Sequence, residues 1–141
     1  MIEQAIEAKL ITALEAVVTD CDIVGFWQTE TGNTRKESPL ISVVCNPRNV
    51  ETESLPLLSC QIEVKILSNI ETDQKKAKII EWTTVILDYL YTLNANETAR
   101  TALSDTGYSV TGFKLDGGTS GIDTDSKVFY SIIPATISCS V

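Results

Sequence analysis

The sequence predicts an α+β domain: one mostly antiparallel sheet, with an N-terminal helix and a long central helix packed on one face. Three observations predict it. Apolar residues recur every four positions over residues 2–18, and again through a second, longer stretch after Thr72. Strict alternation of apolar and polar residues marks Leu57–Leu67. The remaining strand-like segments cluster before and after the long helix instead of alternating with helices, which separates this layout from a parallel α/β one.

The N-terminal stripe comprises Ile2, Ile6, Leu10, Leu14 and Val18, with Ala13 and Val17 beside it and Glu3, Glu7, Lys9 and Glu15 expected off it. Glu3 and Glu7 also suit the positive end of a helix dipole. Asp22–Gln28 reads as a short strand and Thr29–Arg35 as a polar turn. Pro39 introduces Leu40–Cys45, a β-branched run expected to be buried on both faces. A loop between Pro47 and Pro56 carries Glu51 and Glu53. In Leu57–Leu67, residues Leu58, Cys60, Ile62, Val64 and Ile66 point one way, and Ser59, Gln61, Glu63 and Lys65 the other.

Thr72 or Asp73 is placed to cap a helix reaching about Tyr91, a rod of roughly 28 Å. Its apolar residues form two rows, Ile79, Thr83, Ile86 and Leu90, then Ile80, Leu87 and Tyr91. Asn94 or Asn96 restarts a short helix to Leu103. Tyr108–Leu115 is a strand, Asp116–Asp125 a loop with three glycines, and Ser126–Val141 a closing strand. Pro134 lacks a ladder donor, so it marks a bend, a bulge or an edge there.

With 141 residues the chain makes a single domain, 1–141. No apolar run approaches the ~20 residues that span a bilayer, and MIEQAIEAK has no cationic stretch of the signal-peptide kind. A cytoplasmic protein with reduced thiols is expected. Cys21, Cys45, Cys60 and Cys139 form no CxxC pair, and histidine is absent, so no zinc set assembles. Eleven basic against nineteen acidic residues, net −8, oppose binding to DNA or RNA, which depends on cations replacing phosphate counterions.

Catalytic chemistry finds no residues to run it. Without histidine, no serine, cysteine or lysine has the commonest base beside it. Gly117–Gly121 resembles a phosphate cradle but opens no helix, so a hairpin tip is the better reading. Asp116, Asp123 and Asp125 lack the remainder of a calcium loop. No catalytic residue, metal or cofactor is therefore expected, and the chain is read as a non-enzyme. Lys75, Lys76 and Lys78 crowd the start of the long helix, against its dipole; either they form a solvated face or they meet a partner. Trp82 is either core or an interface anchor.

The order of elements resembles the tail terminator, or tail-completion, proteins of long-tailed bacteriophages. The resemblance is carried by the helix Ile2–Val18, the strand Ser38–Val44 introduced by Pro39 and the alternating strand Cys60–Ile66. The capped long helix Thr72–Tyr91 and the late glycine- and aspartate-rich hairpin leading into Lys127–Ile132 complete it. It rests on layout and length, not on an invariant motif. It implies a structural virion protein, assembled in the host cytoplasm, that forms a homo-oligomeric ring, a hexamer in that family. Such a ring caps the tail tube, stops its polymerisation and joins the tail to a neck or connector protein, while DNA passes through the lumen without specific binding. Candidate interface residues are Glu51 and Glu53, Lys75, Lys76, Lys78 and Trp82, and Asp116, Asp123 and Asp125. A tail-tube or neck subunit, or a cytoplasmic ligand-binding module, are the alternative readings.

Overall fold

The structure, a computed structural model, describes residues 2–19, 21, 23–26, 40–46 and 57–140. Its elements are α1 (Ile2–Val17), β1 (Ile23–Gly25), β2 (Leu40–Cys45), β3 (Leu57–Asn69), α2 (Asp73–Ala95), α3 (Glu97–Thr101), β4 (Ser109–Leu115), β5 (Thr119–Asp123) and β6 (Val128–Ser140). Strand order is β1-β2-β3-β6-β4, with β5 also pairing with β6. Among the described strands only the short β1–β2 pair is parallel. The fold class is the α+β arrangement expected.

At the centre lie two thirteen-residue strands, β3 and β6, in unbroken register from Leu57↔Ser140 to Asn69↔Val128. Their inner face is formed by Leu58, Cys60, Ile62, Val64 and Ile66 opposite Cys139, Ile137, Ala135, Ile133 and Ser131, all buried. Burying one face of an alternating strand fixes its register, since a one-residue slip would turn every apolar side chain to water. Helices α1 and α2 pack on that face, α1 against β1 and β2, α2 against β3 and β4. On the opposite face, Ser59, Gln61, Lys65 and Leu67 are exposed.

Several expectations change. In α1, Glu3 and Glu7 are not solvent-facing; both are buried, Glu7 completely, and Glu7 Oε2 accepts the Cys45 N–H at 3.2 Å. Ile11 joins the core, whereas Val17 is 40% exposed. Strand β2 buries Ile41, Val43 and Cys45, but Ser42 and Val44 on its other face are only half-buried, because among the described residues no helix covers that side. In α2 the row Ile79, Trp82, Ile86, Leu90 and Leu93 is buried, while Ile80 and Tyr91 are 65% and 58% exposed. Thr72 Oγ1 caps α2 by accepting the Lys75 N–H, and Asn96 Oδ1 caps α3 through the Ala99 N–H.

The glycine-rich stretch is not a hairpin tip: Thr119–Asp123 is strand β5, and the turn lies at residues 124–127. Gly117, at φ +91°, makes the corner from β4 into β5 that a side chain would strain. Pro134 causes no break in the β3–β6 ladder. Its carbonyl accepts the Asp116 N–H at 3.0 Å, so its donor-less nitrogen faces the gap where β4 ends opposite Ala135 and β5 begins opposite Ile132. The proline therefore sits where no ladder donor is required.

Candidate functional site

The long helix follows β3 through a tight crossover in which the Ile70 N–H donates to the Lys127 carbonyl at 2.9 Å. This bond joins the start of α2 to the β5–β6 turn, so Lys75, Lys76, Lys78, Asp123 and Asp125 share one end of the sheet. Lys76 lies 3.8 Å from Asp73 and Lys78 3.6 Å from Glu81, both one helical turn apart and exposed. Pairs of this kind contribute little stability because water and salt screen them. A groove of about 430 Å³ brings Lys75, Lys78 and Trp82 together above the buried Ser68. Trp82 itself is only 6% exposed and belongs to the core.

In the β5–β6 turn, Asp123 Oδ1 accepts the N–H groups of Asp125 (3.0 Å) and Ser126 (3.3 Å). The Ser126 amide, then its hydroxyl, then the Asp125 amide hold the Asp123 carboxyl below its ordinary range, so this fully exposed tip keeps its charge into mildly acidic solution. Asp116 stands apart, at the β4–β5 corner, accepting from Thr136 Oγ1 at 2.6 Å. The three loop aspartates are thus not drawn together, and among the described residues no three acidic, cysteine or histidine side chains converge as metal ligands. Glu51 and Glu53 lie outside the described residues.

The thiols of Cys45, Cys60 and Cys139 are buried, and Cys21 is half-buried. A hydrogen bond with Cys60, reinforced by burial, pushes the Cys45 thiol far above its ordinary value of 9.0. A thiol held neutral in this way is a poor nucleophile, since the thiolate is the reactive form.

A second groove, of about 550 Å³, lies over the glycine-rich corner that the sequence offered only as a loop. One wall is the flank of α2 with Thr83, Leu87 and Tyr91; the other is the corner Leu115–Ser120 with Ile133 behind it. Thr83 Oγ1 is buried there without a hydrogen-bond partner. Tyr91 lines it as an exposed apolar side chain, and Ile80 on the same flank of α2 and Ile122 on β5 (57%) are exposed as well. The signal was present in the sequence: α2 carries two apolar rows, more than one contact with a sheet consumes.

Comparison with known proteins agrees in fold. No family model matches the chain, and no curated protein resembles it in sequence. Among solved structures, the chain is similar to one from the virion of a native gene transfer agent particle. That match has a TM-score of 0.59 and 10% identity, over 98% of this chain and 94% of the other. The class defined at this identity is a shared α+β fold, matched over nearly the whole of both chains.

Proposed function

We propose that this chain is a structural protein of a virion, and within that class a tail terminator. Copies form a ring on the end of the tail tube, halt its growth and join it to a neck or connector protein. The observation that carries the reading is the near-complete two-way coverage by a virion chain of the same fold. An element order resembling tail terminators supports the finer assignment, as do grooves lined by helix and strand edges with no reactive constellation. A net charge of −8 lets DNA pass such a ring without being held.

The test combines native mass spectrometry with electron microscopy of the purified protein, alone and mixed with tail-tube subunits. Closed rings that cap tubes at a fixed length support a terminator. Long tubes built of this chain alone identify a tube subunit instead. A chain that neither rings nor associates with tubes or connectors is not a tail component.

A further inference from the structure

Strands β4 and β5 lie end to end along one side of β6 and share the last lane of the sheet. Helix α1 roofs β1 and β2, and α2 roofs the strands up to β4. Among the described residues, α2 packs on β4 but not comparably on β5. The register of β5, Ser120↔Ser131 and Ile122↔Phe129, places Ser120 and Ile122 on the helical side of the sheet, where both are exposed. The adjoining flank of α2 repeats Lys76, Ile80, Leu87 and Tyr91 at steps of four and seven, a seam able to take another helix.

The opposite side of the molecule carries a matching part. Ile11 packs against Gly25 of β1, so the flank of α1 beyond it, with Gln4, Ala8 and Glu15 on the same spacing, lies over the other sheet edge. Ala8 is small where Leu87 and Tyr91 are large. Among the described residues β1 pairs only with β2, and β5 only with β6. Following the pairings across the sheet, β1 runs opposite to β5, and α1, which leads into β1, runs opposite to α2, which leaves β3. A second copy beside β5 therefore presents β1 antiparallel to it. Its α1 is antiparallel to α2, and its Glu15 lies toward the end that bears Lys76.

We propose that the groove over β5 is the seat for α1 of a second copy, whose β1 continues the sheet along β5. This rests on the assembly reading above and names the surfaces it uses. The two surfaces are unlike, so each copy retains one of each after pairing, the condition for closing a ring head to tail.

The experiment measures self-association by sedimentation velocity and native mass spectrometry, with circular dichroism confirming folding. Ile80→Glu and Tyr91→Glu alter side chains already exposed, and are expected to weaken association at least tenfold with unchanged spectra. Glu15→Lys and Lys76→Glu are each expected to weaken it severalfold and, combined, to recover most of it. If wild-type copies assemble and all these variants assemble equally well, the seat lies elsewhere and the assembly reading stands. If wild-type chains stay single at every concentration, with and without tube subunits, both are overturned.

Discussion

Glu7 shows how a single side chain couples three elements. It leaves α1, accepts the N–H of Cys45 at the end of β2, and lies against Gly25 of β1. A methyl group on Gly25 would run into Glu7 Oε1 and come within 2.7 Å of Ile11 Cδ1. The carboxylate is completely buried and tied to the β2 backbone, so it has little room to yield. Gly25→Ala is expected to destabilise by about 1–3 kcal/mol, the usual cost of overpacking, read from urea unfolding. The neighbouring thiol predicts a pH dependence. Cys45 is raised above 9.0 through its Cys60 hydrogen bond and burial, and Tyr108 is raised from 10.0 to about 12, mainly by burial. In the unfolded chain both lose their protons first, so the stability these groups confer is complete below about pH 9 and falls as pH rises beyond it. Urea midpoints are expected to be flat from pH 7 to 8.5 and to drop above 9, with Cys45→Ala removing part of the slope. The burial of Glu3 and Glu7 was not legible in the sequence. A helical stripe gives the angle of each residue, but which polar neighbours the sheet covers depends on where β1 and β2 dock.

Among elements, α2 and the central strands were the most legible. Alternation in β3 named its buried residues one by one, because among the described residues one face meets helices and the other meets none. The helix was expected to end near Tyr91 and instead continues to Ala95, where Arg100 Nη1 donates to the carbonyls of Leu93 and Asn94. That cap comes from the following helix, so no residue inside α2 announces it. Thr72, one of the two caps read from sequence, is the one used. Thr72→Ala is expected to cost about 1 kcal/mol, the loss typical of an N-cap, measured by chemical denaturation. Strand β5 was hidden because three glycines within six residues read as a turn; only pairing with β6 makes it a strand. Pro134 was ambiguous for a related reason. A proline's missing donor matters only if a neighbour needs it, and here the β4–β5 gap removes the neighbour. Pro134→Ala is therefore expected to change unfolding free energy by less than about 1 kcal/mol.

For the whole molecule, the sequence conveyed class better than site. Composition and the lack of histidine argued against chemistry, and element order predicted the α+β fold that a chain from a gene transfer agent virion matches in shape. The candidate lysines and Asp123–Asp125 do come to one end, yet the groove over β5 arises from the relation of three elements and has no local motif. Purified protein is expected to leave duplex DNA unshifted in a gel retardation assay even at low salt, since its net charge offers phosphates no excess of cations.

The middle position of β6 has an effect on timing. Residues 128–140 supply the strip to which β3 bonds on one side and β4 and β5 on the other. During translation, a chain that has not yet released them holds two halves with nothing to join them. The sheet, and any surface built across it, thus comes into being only as those residues leave the ribosome.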